Sequence, residues 1–209
     1  MNKISYSLTE SVLEGTDINA AIKVLRSKKI TMGPKTRQVE AYFEDHIVKT
    51  NSLMVNSGFN LRTTDINAAI GLEQLKRIKK ILSIRKYNFL KIKKSLLRNK
   101  KYNNQFIILD DQKHANAAWF GIPIILSSNN KKYKQKIMSN LHRKGIMTRP
   151  IISGNFAKQP SIKLYKIKIN NQLPNSDLVD KKGFFLGLHN IKISDVKLKF
   201  LTDSIYSSL

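Results

Sequence analysis

Residues 58–97 constrain this chain more than any other stretch. From Thr64 onward apolar residues return every seven positions, at Ala68, Leu75, Leu82, Phe89 and Leu96, with Ile78 and Ile92 on the half-steps. That is the spacing of a helix with one buried seam. Thr64 offers a hydroxyl to a free backbone N–H of the first turn. Asp65 follows it and sets a negative charge at the positive end of the helix dipole. No proline interrupts before Pro123. The pattern predicts one helix of about 34 residues, about 50 Å long at 1.5 Å per residue. A helix of that length either bridges two bodies, lies in a dimer contact, or runs along a surface with a single buried stripe.

At 209 residues the chain is long enough for one ordinary domain or two small ones, and 41% of it is apolar. It has no cysteine, which excludes disulfides and thiolate metal sites. No second histidine stands at ligand spacing, so no metal site is expected. No run approaches the 18 or so apolar residues that span a bilayer, so a cytoplasmic protein without membrane association is expected. The formal net charge of +24 has two readings. Lys and Arg gathered on one face would neutralise nucleic-acid phosphates. Yet the basic residues are overwhelmingly Lys, spread from end to end without interleaved aromatics, and Ile and Asn are abundant too. Compositional drift is the preferred reading over a nucleic-acid partner.

Taken in order, residues 7–15 read as an irregular leader. Thr16 then caps a helix with Ile18, Ala21, Ile22 and Leu25 on one face. Its first seven residues, Thr-Asp-Ile-Asn-Ala-Ala-Ile, recur at 64–70, two similar helix starts rather than a duplicated domain. Thr31-Met32-Gly33-Pro34 is a turn, and a second helix over 35–46 buries Val39, Phe43 and Ile47. Residues 52–55 form a short strand that ends at Asn56-Ser57-Gly58. Beyond the long helix, strands are expected over 106–109, over 117–126 (Pro123 marking an edge or a bulge) and over 146–152. A helix over 131–144 with Ile137, Met138 and Leu141 buried separates the last two and stops at Gly145.

The run Gly58-Phe59-Asn60-Leu61-Arg62-Thr63-Thr64-Asp65-Ile66-Asn67-Ala68-Ala69-Ile70-Gly71-Leu72-Glu73-Gln74-Leu75 resembles the DegT/StrS family of nucleotide-sugar aminotransferases and dehydratases. Two further segments fit its lipopolysaccharide-sugar subgroup, which contains the GDP-4-keto-6-deoxymannose 3-dehydratases. They are Thr148-Arg149-Pro150-Ile151-Ile152-Ser153-Gly154-Asn155-Phe156-Ala157-Lys158-Gln159-Pro160, and Leu173-Pro174-Asn175-Ser176-Asp177 with Gly183-Phe184-Phe185-Leu186-Gly187-Leu188-His189. The resemblance implies an α/β chain, a remnant of the fold type I aspartate aminotransferase fold. Residues 1–58 would be the start of a pyridoxal-phosphate (PLP) domain, 59–98 the long connecting helix and 99–209 a small C-terminal α/β domain.

The same resemblance implies the site. Ser57 and Gly58 would lie at the cofactor phosphate, and Asn60 would reach that of a neighbouring subunit in a homodimer. Thr31, Gly33, Arg149, Asn155 and His189 would face a nucleotide-linked keto-sugar, with Arg149 and Asn155 as exposed donors. His189 has a second reading, a packed and hydrogen-bonded histidine. The family pattern also breaks here. After Gly58 the chain goes straight to Phe59-Asn60-Leu61-Arg62, which lies far downstream in the family. The missing stretch, on the order of 150 residues, would carry the Schiff-base lysine, or the histidine that replaces it in the 3-dehydratases, and the carboxylate facing the pyridinium nitrogen. No catalytic residue is therefore assigned, and PLP binding and catalysis by this chain alone are not expected. The remaining alternative is a non-catalytic dimerisation partner of a full-length relative. Helix faces that include Ile22, Leu25, Val39, Phe43, Leu75 and Leu82 are expected to have lost their cover.

Overall fold

The computed structural model describes residues 4–8, 13–28, 33–46, 64–115, 117–127, 131–164, 167, 169 and 172–209. The expected strand over 52–55, Thr31 and the candidate cofactor contacts Ser57, Gly58 and Asn60 lie outside the described residues. The chain divides into two compact units, one made of residues 11–81 and the other of residues 1–10 together with 82–209.

The first unit holds α1 (Gly15–Ser27), α2 (Pro34–His46) and α3 (Asp65–Lys76). α3 begins as its sequence demands, with the Thr64 hydroxyl accepting from the Asn67 N–H at 3.3 Å. α1 begins earlier than expected: its N-cap is Glu14, not Thr16, and Asp17 turns back to accept the Glu14 N–H at 2.7 Å. Its expected apolar face is exposed, as a face without cover would be. Ile18 and Leu25 are 52% and 54% exposed, while Val24 and Asp17 point inward.

The two aspartates of the repeated heptapeptide do parallel work. Asp65 is buried, and its carboxylate accepts the Thr36 N–H (2.8 Å), the Thr36 hydroxyl (2.7 Å) and the Lys35 N–H (3.2 Å). It thus caps the N-terminus of α2 from the start of α3, where free donors and the dipole favour an anion. Burial pushes this carboxyl up, but the hydrogen bonds from Thr36, Lys35 and Gly33 outweigh it and hold it below its ordinary value. A side chain at Gly33 would run into this carboxylate, so glycine here permits a close approach. Asp17, also buried, accepts from Arg77 Nη2 at 2.6 Å and Gln74 Nε2 at 3.0 Å, tying α1 to the end of α3.

The long helix is not continuous. At Arg77 the backbone leaves helical values (φ −103°, ψ 2°), and α4 (Ile78–Leu97) starts afresh. No glycine or proline causes this. The Arg77 guanidinium is claimed by Asp17 and, at 2.5 Å, by Glu14, and the Arg77 N–H turns to the Gln74 carbonyl. The ends of the seven-residue beat, Ala68, Phe89 and Leu96, are buried, while Leu82 in its middle is 38% exposed.

The second unit is an antiparallel sheet of β1 (Phe106–Ile108), β2 (Gly121–Leu126), β3 (Thr148–Pro150) and β4 (Gly183–Gly187), in the order β1-β2-β4-β3. Strand alternation puts Phe106, Ile108, Ile122, Ile124, Leu126, Phe184 and Leu186 on one face. They form one core with Phe89, Ile92 and Leu96 of α4, Ile137 and Leu141 of α5 (Lys131–Arg143), and Leu201 and Ile205 of α7 (Asp195–Tyr206). α6 (Pro174–Lys182) leads directly into β4. Pro123 sits in a central strand, but β1 ends opposite Ile124, so β2 has a strand neighbour on one side only at that residue. The missing N–H is tolerated there.

The residue just before the expected irregular leader is tied into the sheet unit. Tyr6 forms a parallel bridge with Ile146, donating its N–H to Gly145 O (2.9 Å) and accepting from the Met147 N–H (2.8 Å). Its side chain is fully buried, and its hydroxyl donates to Gly187 O at 2.8 Å. Leu8 main chain fills the space that a side chain at Gly187 would occupy.

Candidate functional site

The sheet face opposite the core carries the candidate site. β3 and β4 set Arg149 directly across from Phe185, and β2 sets Pro123 across from Phe185 on the other side. These side chains share one face because strand residues in register point the same way. Arg149 and Phe185, with Phe120, Met147, Pro150, Ile152, Ser7 and Leu8, line an open groove of about 800 Å³. Arg149 is exposed, and its guanidinium has no acceptor among the described residues. Phe120 is 66% exposed and Ile152 91%, an apolar surface with one cation at its edge.

Two expected contacts take other roles. Asn155 was expected as an exposed donor but is 3% exposed. Its Oδ1 accepts the Ala157 N–H at 3.1 Å and its Nδ2 donates to Asp177 Oδ1 at 2.6 Å. An asparagine amide engaged in this way and almost wholly buried pins the loop after β3 onto α6 and presents little to a ligand. Lys158 also pairs with Asp177, and together with Asn155 it holds that carboxyl below its ordinary range. His189 is buried, stacked on Tyr6 with centroids 4.4 Å apart, and its Nε2 lies 2.7 Å from Ser7 O. It anchors the N-terminal segment that forms one wall of the groove. Gly33 belongs to the helical unit, where it makes room for Asp65.

Sequence reasoning missed Phe120, Phe185 and Arg85. The Arg85 guanidinium stands 5.9 Å from the centre of the Phe120 ring and donates to Trp119 O at 2.5 Å. Burial pulls its pKa down, and its Nε has no partner. No local pattern marks such residues: an aromatic just before a strand reads as part of the strand.

The described residues do not assemble a PLP site. None of the described lysines is buried, as an amine poised for a Schiff base would be. The buried carboxylates of Asp17 and Asp65, the type that would face a pyridinium nitrogen, are taken up by their own helices. Among the described residues no three histidine, aspartate or glutamate side chains gather as metal ligands, and no helix is long and apolar enough to cross a membrane.

Comparison with known proteins identifies the relatives of this chain. GDP-4-keto-6-deoxy-D-mannose 3-dehydratase from Escherichia coli O55:H7 is 29% identical over 166 residues, which is 78% of this chain and 40% of that protein. A solved structure of the E. coli enzyme with bound hydrated PLP matches with a TM-score of 0.61 at 28% identity, over 72% of this chain and 37% of that one. A GDP-4-keto-6-deoxymannose-3-dehydratase variant with bound GDP-perosamine matches with a TM-score of 0.62 at 25% identity, over 93% of this chain and 49% of that one. The chain thus spans less than half the length of each of these relatives. Residues 55–197, which hold the broken helix, the sheet and all of the Arg149 groove except Ser7 and Leu8, match the DegT/DnrJ/EryC1/StrS aminotransferase family, and the chain belongs to that family.

Proposed function

We propose that this chain is the substrate-holding part of a PLP-dependent nucleotide-sugar aminotransferase or 3-dehydratase, a remnant of the fold type I aspartate aminotransferase fold. It binds the anionic end of a nucleotide-linked keto-sugar at Arg149 and does not itself perform the cofactor chemistry. One observation carries the reading: an unpartnered guanidinium at the edge of an apolar groove. A planar fork of N–H donors suits a diphosphate, which can take two parallel hydrogen bonds. A related structure holds a GDP-sugar, which supports the ligand class. The chain's own residues bind and orient. Arg149 fixes the charge, the rings of Phe120 and Phe185 and the Ile152 side chain exclude water, and Asn155 and His189 hold the walls in place.

Equilibrium dialysis with a labelled GDP-sugar tests this. Saturable binding that Arg149→Ala abolishes is expected; binding unchanged by that substitution overturns it. PLP added to the protein is expected to leave no stable visible absorption band. A stoichiometric band that survives gel filtration, and maps to one lysine after borohydride reduction, would refute the non-catalytic part.

A second reading is favoured by the exposed face of α1. Ile18, Ile22 and Leu25 lie 36–54% exposed, suited to docking on a complementary chain as a dimerisation partner. Sedimentation of the chain alone, and mixed with a full-length relative, distinguishes a monomer from either assembly.

A further inference from the structure

We propose that Phe120 is the platform on which the planar base of the nucleotide stacks, with Arg85 as the residue that holds the platform in position. This rests on the reading of the Arg149 groove as a nucleotide-sugar site.

Phe120 is an exposed aromatic that its surroundings have immobilised. Its neighbour Trp119 turns the other way, stacks on Phe89 at 5.4 Å with planes 6° apart, and donates its ring N–H to Asp111 at 2.7 Å. The Trp119 carbonyl is gripped by Arg85. The backbone that presents Phe120 is therefore fixed on both sides. The Phe120 ring meets the Phe185 ring edge-on, at 5.7 Å and 61°. The Arg85 guanidinium lies 5.9 Å from its centroid and has no carboxylate partner among the described residues. A cation with a buried, unpaired Nε is costly to keep. Here it holds a backbone carbonyl and an aromatic ring, a contact that attracts through the ring quadrupole.

The order of groups fits a nucleoside diphosphate. Phe120 touches Phe185, and Phe185 faces Arg149 across one strand pair. With strand neighbours about 5 Å apart, the span from platform to cation is about 10 Å, similar to the reach from a base to the far phosphate. Base stacking on an aromatic ring needs no hydrogen-bond readout and is strong enough to matter on an open surface.

The single tryptophan adjoins the platform, so its fluorescence reports on it. The whole chain is titrated at fixed salt with GDP and with inorganic pyrophosphate. GDP is expected to bind about tenfold more tightly than pyrophosphate, the step that one aromatic stack provides. Phe120→Ala should bring GDP down to the pyrophosphate level and leave pyrophosphate unchanged, while Phe120→Tyr should retain the preference. Arg85→Gln should lose part of the GDP preference without changing pyrophosphate binding, which a general loss of structure would not do. Arg149→Ala should weaken both ligands. GDP binding no tighter than pyrophosphate in the unaltered chain, or unaltered by Phe120→Ala, overturns the platform while the groove reading stands. Saturable binding of neither ligand overturns both. A signal that follows protein concentration rather than ligand assigns Phe120 to self-association instead and also overturns the proposal.

Discussion

The two units of this chain are held together by opposite means. Among the described residues of 11–81, the buried apolar side chains are Val24, Ala68 and Ala69, and the buried polar ones are Asp17, Thr36 and Asp65. Small side chains bring the helices close, and two carboxylates lock them. The sheet unit instead packs Tyr6, Phe89, Ile92, Leu96, Phe106, Phe184, Leu186 and Leu201 into one continuous core. Apolar packing is tolerant of pH and demanding of shape; carboxylate locks are the reverse. The contrast teaches that two units of one chain can differ in what holds each: one is built on a continuous apolar core, the other on a few charged contacts, with apolar side chains such as Ile18 and Leu25 left exposed.

Ways to break this contrast differ in size. Ile92→Ala should cost the sheet unit about 3 kcal/mol, through lost transfer energy and a cavity. Urea unfolding followed by Trp119 fluorescence would show the lower midpoint, and no shift would place Ile92 outside the core. Asp65→Ala should cost the helical unit about 2 kcal/mol, through the lost α2 cap and an orphaned Thr36 hydroxyl. Far-UV circular dichroism should lose helix earlier in denaturant while the tryptophan transition stays in place; coincident shifts would mean the two units melt as one.

Acid should separate the units without any mutation. Asp17 and Asp65 have folded pKa values below their ordinary one. Their stabilisation is therefore complete above the unfolded carboxylate value, near 3.9, and is lost as pH falls through the depressed folded values. Helix signal should fall in that window before the Trp119 signal does, and the reverse order would contradict the scheme. The smallest effect belongs to Leu25→Gln on the exposed face of α1. Stability should change by no more than about 0.5 kcal/mol, whereas self-association measured by sedimentation should drop.

Much of this arrangement is legible from residue patterns, and the exceptions share a cause. The Thr64 cap, the burial of Phe89, Ile92 and Leu96, β1, the later part of the strand expected over 117–126 and the stop of α5 at Gly145 follow from local spacing and local chemistry, whereas residues 117–120 are not strand. The interruption at Arg77 does not, because its partners Asp17 and Glu14 are some sixty positions away. The α1 stripe is apolar and exposed, in line with the expected loss of cover, but a stripe alone does not say what would cover it. Asn155 illustrates the same limit at the site. The amide that would suit a sugar phosphate also suits a loop pin, and only the position of Asp177 decides. Phe120 and Arg85 meet through the fold alone.

The insertion of Tyr6 into the sheet has a kinetic consequence. Its hydroxyl partner, Gly187, lies 181 positions later in the chain. A ribosome adding about 5–20 residues per second needs roughly 10–40 s to supply it. Its main-chain partners Gly145 and Met147 emerge earlier, but the hydroxyl of Tyr6 has no acceptor at Gly187 until the end of that interval. Closing a loop of this length before any contact rewards it is also intrinsically slow. Tyr6 therefore cannot complete its docking before Gly187 is made, and the groove wall formed by Ser7 and Leu8 waits on that step.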